Sequence, residues 1–536
     1  MTRMNFADVW ERVARVKADV PAVVQGERVV LWRDLDARAD GVAAALVAAG
    51  LPRQAKVALY LYNCPEYVEA QYAAYKGSYV PVNTNYRYLE DELVYLWTNA
   101  DVEAVVFHGS FGERIERLRH RVPGVRVWLW VDDDAGDCPA WATPYEKAAA
   151  SGATLDAPWD RSPDDLCLIY TGGTTGLPKG VMWAQGDYFL VFNTALGNLY
   201  PDDVTLDQVP DVVARPMPVV MAATPLMHGN GLSVLHSSLL CGGTMVLLPS
   251  RSFDAEELLD ELARHRVFSV TVAGDVFIRP MLDALGREPG RWDLSTLRYI
   301  TSSGAMWSAA AKRELLSHLP RVKLVDGLAS TEGAAFADSV STADAVSETG
   351  SFKLTERAVV LDDAGDPVVP GSGTVGRLCS KGVLPLGYYK DPERTAATFP
   401  VINGVRYAVT GDYATVSGDG TIHLLGRGSV CINTGGEKVY PEEVEEVVKE
   451  HPSVADAVVV GVPDPRFGES VVAVVEAAPG ATLDAEAVIA YAKSKLAGYK
   501  APRSLMVVES IERTPSGKVD YRRLKDLAGE RLGAAR

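Results

Sequence analysis

Residues 166–181 read LCLIYTGGTTGLPKGV. The apolar run 166–170 has the length and composition of a buried strand, and it stops at Tyr170 against a turn rich in glycine and threonine. Thr171, Gly172, Gly173, Thr174, Thr175, Gly176 and Lys179 follow in quick succession. Glycines let backbone N–H groups approach an oxyanion closely, threonines add hydroxyl donors, and a lysine compensates charge, so the stretch suits a polyphosphate. It is not the usual nucleotide P-loop, in which Gly, Lys and Ser/Thr are adjacent, because Leu177 and Pro178 separate Gly176 from Lys179. A flexible surface turn is the competing reading of the same residues.

On either side of this stretch, short β-rich runs alternate with amphipathic helical ones: KVALYLY, PEYVEAQYAAYKG, YVPVN, LEDELVYLWTNA and EAVVFH. That is the βαβ pattern of layered α/β structure. Near residue 426 the texture changes. GRGSVCINTGG leads into YPEEVEEVVKEH, where Val444, Val447 and Val448 share one helical face. A small α+β unit is expected from there, with strands at ADAVVVGV and SVVAVVEA and a helix at AEAVIAYAKSKLAG before SLMVVES. The expected division is 1–426 and 427–536, which agrees with a chain of 536 residues being too long for one core.

Acidic residues number 70 against 53 basic ones, a formal net charge of -17 with no basic block, which argues against a nucleic-acid partner. The start MTRMNFADVWERV lacks a basic segment followed by an apolar run, and no apolar stretch is long enough to span a bilayer. Cys64, Cys138, Cys167, Cys241, Cys379 and Cys431 are scattered without CxxC or Cys/His spacing, so neither structural zinc nor a disulfide framework is expected. A reduced cytoplasm fits best.

The stretch 166–181 resembles the phosphate-loop signature of the adenylate-forming superfamily, which includes acyl-CoA synthetases, firefly luciferase and peptide-synthetase adenylation domains. The family's other signatures appear in order along nearly the whole chain. PLMHGNG at 225–231 resembles the segment whose histidine, here His228, lies between acyl pocket and pantetheine tunnel; SSGAMW at 302–307 resembles the adenine-contacting turn, with Gly304 and Ala305 against the base. DGLASTEG at 326–333 places Asp326, Gly327 and Leu328 at the nucleotide, Thr331 at the α-phosphate and Glu332 on magnesium. Read alone, such a Thr-Glu pair more often caps a helix. TGDYATV at 410–416 assigns Asp412 to the ribose hydroxyls, and GRGSVCINTGGEKVYPEEVE at 426–445 resembles the interdomain hinge. There Arg427 reaches ribose or phosphate, Gly428 and Ser429 form the hinge, and Gly435, Gly436 and Glu437 line the approach of coenzyme A. TPSGKVDYRRL at 514–524 resembles the closing signature, whose lysine is Lys518.

The resemblance implies a large multi-layer N-terminal domain of α/β subdomains plus a small β-barrel, with a small mobile C-terminal domain. It implies ATP, magnesium and CoA, with a carboxylic acid converted through acyl-AMP to acyl-CoA and catalysis by Lys518, His228, Thr331 and Glu332. An acyl pocket is expected between residues 228–231, 272–276 and 303–306, walled by His228, Gly229, Gly231, Ala273, Gly274, Ser303 and Met306. Four positions depart from the commonest family residues: Gly172 for serine, Leu328 for an aromatic, Ser429 for aspartate and Asn433 for lysine. Several of these look like actinobacterial synthetases for steroid side-chain acids, and VLPLGYYKDPERTAATFP extends that likeness, so a polycyclic steroid or diterpenoid acid is the expected substrate. A medium- or long-chain fatty acid, a ligase performing only the thioester step, loading of a carrier protein, a luciferase-like monooxygenase and a non-catalytic nucleotide-binding protein are the rival readings. A homodimer is left open.

Overall fold

The computed structural model describes residues 2–533, apart from 174–175, 306, 428–429, 435–436, 465–466, 497 and 515–516; at 172–173, 176–177, 335–336, 427, 433, 437–438, 468 and 533 it describes the backbone alone. The signature stretch forms a hairpin. Leu166–Gly173 runs three residues past Tyr170 and returns antiparallel as Gly176–Ala184, with Thr171 opposite Lys179 and Gly173 opposite Gly176. Gly180 serves packing here: a Cβ would fall 2.8 Å from the Tyr170 ring and 2.9 Å from the Leu168 side chain.

Among the described residues this hairpin belongs to an eight-stranded sheet. Leu166–Gly173 lies parallel to Val80–Asn83, which is followed across the sheet by Lys56–Tyr60 and Val102–His108. The helices expected at PEYVEAQYAAYKG and LEDELVYLWTNA are Pro65–Lys76 and Glu90–Asn99. Pro65–Lys76 is buried along its whole length, because it lies between this sheet and the next layer.

A second sheet carries the parallel strands Val219–Ala222, Ser269–Val272, Tyr299–Ser303 and Lys323–Ser330 side by side. After a turn at 331–333 the chain reverses into Ala334–Ser341, and the sheet continues antiparallel through Ser351–Leu354, Thr421–Arg427, Ala408–Val416, Gly376–Ser380 and Ala358–Leu361. This half encloses its own core of Phe352, Val360, Leu378, Val416 and Ile422. The expected small barrel is therefore an antiparallel curl continuous with the large sheet, without a pairing among the described residues that joins its two ends.

The sheet's last strand in sequence ends at Arg427, and Ile432–Thr434 begins a separate small sheet. Val454–Asp464 and Gly468–Ala477 pair antiparallel, and Ser504–Val508 lies parallel to the latter beyond the helix Ala485–Lys495. Both faces of this sheet are covered, as its uninterrupted valine run demands. Ala457 and Val459 pack against Val444 and Val448 of the helix Pro441–Lys449, while Val458, Val460 and Val462 pack against Leu524 and Ala528 of Tyr521–Gly533. None of the six cysteines forms a disulfide, and no helix of the described residues is long and apolar enough to cross a membrane.

A buried hydrogen-bond chain joins the layers. The Cys167 thiol lies 3.1 Å from the Tyr75 hydroxyl, which donates to His236 Nε2 at 2.9 Å, while His236 Nδ1 donates to the Leu232 carbonyl at 2.9 Å. This arrangement holds the imidazole neutral. Burial moves its pKa from 6.5 to about 4. The unfolded chain therefore binds a proton that the folded one refuses, so stability is full above pH 6.5 and is lost as pH falls toward 4, by up to about 1.4 kcal/mol per pH unit. Denaturant unfolding between pH 7 and pH 4.5 should register this loss, and His236→Asn should flatten part of the slope; identical slopes for the two proteins would contradict it.

Candidate active site

The four parallel strands point their carboxyl ends at one place, where ligands bind in open α/β sheets. His228 follows Val219–Ala222, Ala273 and Gly274 follow Ser269–Val272, Gly304 and Ala305 follow Tyr299–Ser303, and Thr331 and Glu332 follow Lys323–Ser330. Segments far apart in sequence are thus neighbours because their strands are.

Asparagine side chains hold the His228 segment in place. Asn63 donates to the Thr224 carbonyl at 3.1 Å and accepts from Leu226 N–H at 2.7 Å. Asn83 donates to the carbonyls of Met227 (2.7 Å) and Tyr170 (2.8 Å) and accepts from Tyr170 N–H at 2.7 Å, tying this segment to the phosphate hairpin. Asn230 donates to the Val272 carbonyl at 2.9 Å and to that of Ser303 at 3.3 Å, so all three walls of the expected acyl pocket meet at one amide. His228 itself precedes the helix Gly229–Cys241 without capping it through its side chain. Burial, then the charges of Lys518 and Arg87, push its pKa down to about 3, which keeps it neutral.

The small residues of this pocket are small for different reasons. A Cβ on Gly229 would only touch Thr331 Oγ1 at 3.7 Å, whereas Gly304, although a Cβ there would meet nothing within 4 Å, has φ +81 and is glycine for its backbone. Gly231 serves backbone packing, since a Cβ there would strike the Pro225 carbonyl oxygen at 2.3 Å. Gly274 has φ 57 and ψ −156, which only glycine adopts readily, so the backbone and not cavity volume dictates it. Ala273 is buried, whereas Ser303 is only partly covered.

On the nucleotide side, Gly327 pairs with Ser303 across the strands, and Leu328 rests against the antiparallel core. Asp326 is turned inward, where Lys312 Nζ donates to its Oδ2 at 3.0 Å in a buried pair, so its carboxylate faces a protein partner. Burial raises the Asp326 pKa and Lys312 opposes the rise. Thr331 and Glu332 sit in the hairpin turn 331–333, not at a helix start. The Thr331 carbonyl accepts from Trp183 Nε1 at 3.0 Å, and Glu332 Oε1 accepts from the Tyr388 hydroxyl at 2.8 Å. Asp412 lies directly across from Arg427 in the strand register, its Oδ2 accepting from Thr410 Oγ1 at 2.7 Å.

The small domain closes the constellation. Gly517, at φ +74, approaches so near that a Cβ would lie 2.7 Å from Ala305 Cβ, 3.6 Å from the Ala273 carbonyl oxygen and 3.8 Å from Val276. Lys518 is the next residue, held by Thr514 through two backbone-directed bonds of 2.9 and 3.0 Å. Thr174, Thr175, Met306, Gly435 and Gly436 lie outside the described residues, as do Gly428 and Ser429; Gly172, Gly173, Gly176, Arg427, Asn433 and Glu437 are described in backbone only.

A model of AMP-binding enzymes matches residues 10–389, and a model of their C-terminal domain matches residues 443–518. The chain belongs to the AMP-binding enzyme family. It is 40% identical over 530 residues to the medium/long-chain-fatty-acid–CoA/3-oxocholest-4-en-26-oate–CoA ligase of Mycobacterium tuberculosis, covering 98% of this chain and 96% of that protein. It is 39% identical over 546 residues to the 3-oxocholest-4-en-26-oate–CoA ligase of Rhodococcus rhodochrous, with the same coverage. Among solved structures, ATP-bound MatB from Rhodopseudomonas palustris matches with TM-score 0.81 and 27% identity over 98% of this chain and 99% of that one. The anthranilate CoA ligase AuaEII with anthranoyl-AMP shares the fold at TM-score 0.85 and 24% identity, over 100% and 99%. This member of the AMP-binding family is an acid–thiol ligase.

Asn63, Asn83, Asn230, Trp183 and Tyr388 are contributors that the sequence alone does not single out. Asn230 lies inside PLMHGNG and Tyr388 inside VLPLGYYKDPERTAATFP, so the stretches stand out without these residues doing so. Asn230→Ala removes donors from two backbone carbonyls, at about 1 kcal/mol each. Denaturant unfolding should show the folded-to-unfolded ratio reduced roughly 5- to 30-fold; unchanged stability would remove Asn230 from the framework of the site.

Proposed function

We propose that this enzyme activates a bulky polycyclic carboxylic acid of the steroid side-chain type with ATP and transfers the acyl group to coenzyme A. The observation that carries the two-step reading is the seating of Gly517 and Lys518 against Ala305, Ala273 and the surroundings of His228. The chain divides for this purpose into 1–426, which holds nucleotide and acid, and 427–536, which delivers Lys518 first and the loop of Gly435, Gly436 and Glu437 second.

A carboxylate acylates poorly because its leaving group would be oxide. Attack by a carboxylate oxygen on the α-phosphorus of ATP forms a P–O bond, expels pyrophosphate and leaves a mixed anhydride whose leaving group is AMP. Anions meet in that step, so the chain must supply positive charge where negative charge builds. Lys518 faces the attacking carboxylate and the α-phosphate. Lys179, with the hairpin residues Thr174 and Thr175, receives the departing pyrophosphate, Thr331 orients the α-phosphate, and Asp412 and Arg427 hold the ribose. Gly304, Ala305, Gly327 and Leu328 receive adenine.

Magnesium fits the residues present. Glu332 offers a single carboxylate in the turn 331–333, and one carboxylate sharing the ion with substrate phosphates is how this cation is usually held. Tyr388 engages Oε1 of Glu332, which leaves Oε2 as the oxygen for a hard cation. Bound there, the ion would neutralise phosphate charge.

In the second step the thiol of coenzyme A loses its proton to solvent and attacks the carbonyl carbon, a C–S bond forms, the C–O bond to the phosphate breaks and AMP leaves. Lys518 withdraws for this. With it goes one of the charges that depress the His228 pKa, so the imidazole becomes more basic as the thiol arrives.

For the acid, the support is the naming of relatives about 40% identical along the whole chain, together with the room beside Gly229. A rigid ring system orders little on binding, which suits such a wall. Medium- and long-chain fatty acids are a second reading, favoured by the other half of the Mycobacterium tuberculosis relative's name. ATP and coenzyme A as substrates fit a cytoplasmic setting; the mechanism needs one chain and does not require a homodimer.

Lys518→Ala should slow adenylation, followed as pyrophosphate exchange, by about a hundred- to a thousandfold, the loss seen when one group aimed at developing charge is removed. Thioester formation from supplied acyl-adenylate should stay within about threefold of the parent rate. Equal damage to both half-reactions would make Lys518 a structural residue and defeat the two-step reading.

A further inference from the structure

We propose that Tyr388 is a positioning residue that couples the two phosphate-handling elements: its hydroxyl fixes the Glu332 carboxylate for magnesium while its ring borders Lys179. This rests on the adenylation reading above. The hydroxyl donates to Glu332 Oε1 at 2.8 Å, and Lys179 Nζ lies 5.9 Å from the ring centroid. Glu332 sits in the turn after Lys323–Ser330 and Lys179 in the return strand of the hairpin, and Tyr388 touches both.

The side chain has little freedom. Gly387–Tyr388 is a two-residue strand paired antiparallel to the Lys179 strand, with Gly387 opposite Met182 and Tyr388 opposite Val181. Flanking bonds from Leu386 N–H to the Met182 carbonyl (2.7 Å) and from Tyr389 N–H to the Gly180 carbonyl (2.8 Å) extend the pairing. Tyr388 N–H also donates to Thr395 Oγ1 at 2.8 Å. Gly387 has φ +148, and a Cβ there would meet Thr395 Cγ2 at 2.4 Å, so the helix Pro392–Thr398 seats directly against the strand. The Phe399 ring closes the other side, its centroid 5.9 Å away. The adjacent Tyr389 points elsewhere, donating to Asp101 Oδ2 at 2.8 Å.

A phenol held this way does two things for a carboxylate that must bind a hard cation. It fixes the rotamer, and it occupies one oxygen so that the other presents toward the phosphates. A phenol is protonated at neutral pH, so the hydroxyl is a donor to the carboxylate. The ring face meanwhile offers Lys179 a weak attractive surface that takes none of its charge.

Tyr388→Phe removes the hydroxyl and keeps the ring; Tyr388→Leu removes both. Calorimetric titration of a non-hydrolysable ATP analogue should find Tyr388→Phe at least tenfold weaker in magnesium, about 1.4 kcal/mol, and within threefold of the parent in EDTA. Tyr388→Leu should lose affinity in both. A structural defect would lower both titrations of Tyr388→Phe together, and that result, or an unchanged titration in magnesium, overturns the proposal. The double variant Glu332→Gln/Tyr388→Phe should bind no more weakly in magnesium than Glu332→Gln alone; additive losses would overturn it too. If the parent enzyme failed to bind the analogue at all, the adenylation reading would fall and this inference with it. Parent binding that responds to magnesium regardless of Tyr388 would defeat only the role of Tyr388.

Discussion

The chain between residues 224 and 230 leaves the strand Val219–Ala222 for the helix Gly229–Cys241 where sheet pairing has stopped, and its buried peptide groups must be satisfied there. Three asparagines do this. Asn63 and Asn83 come from the first sheet, Asn230 from the segment itself, and between them they bond the backbone at Thr224, Leu226, Met227, Tyr170, Val272 and Ser303. An amide side chain carries a donor and an acceptor, so it replaces a missing strand neighbour where sheet pairing stops. The phosphate hairpin, the His228 segment and the two turns beyond Ser269–Val272 and Tyr299–Ser303 thereby become one rigid surface.

That surface gives the small domain something to seat on. Gly517 meets Ala305 at a distance that excludes any side chain, and the positive φ of Gly517 turns the backbone into Lys518 at the same point. One residue type thus satisfies a steric and a conformational demand together. The result is a lysine placed close enough to His228 to depress its pKa, in a domain that is joined to the rest through residues 428–431. In the proposed two-step reaction this element supplies charge for adenylation and departs before the thiol enters.

Much of this is legible in the sequence because it is periodic or local. The valine face at 444 and 448, the paired strands after residue 454 and the alternation from residue 56 to 108 follow from hydrophobic spacing, and the signatures mark the turns at strand ends. Other features depend on partners distant in sequence. Asn83 and Tyr170 are 87 positions apart, and Tyr388 and Glu332 are 56 apart; no local pattern links them. Gly231 and Gly274 stand in the sequence only as walls of an expected pocket, whereas close backbone approach at one and an unusual dihedral at the other account for their being glycine. Asp326, by resemblance a nucleotide contact, has its carboxylate in a buried pair with Lys312. The phosphate stretch reads as a strand ending at Tyr170, and the antiparallel return strand extends it to Gly173.

The central claim is that one chain carries a polycyclic acid through both steps. Its most direct test is mass-spectrometric detection of products from the parent enzyme given ATP, magnesium and equal concentrations of a steroid side-chain acid and octanoate, with and without coenzyme A. The account predicts steroid acyl-AMP without coenzyme A, steroid acyl-CoA with it, and a clear excess of steroid over octanoyl product in both. Products from octanoate alone, or thioester formation only when acyl-AMP is supplied, would contradict it.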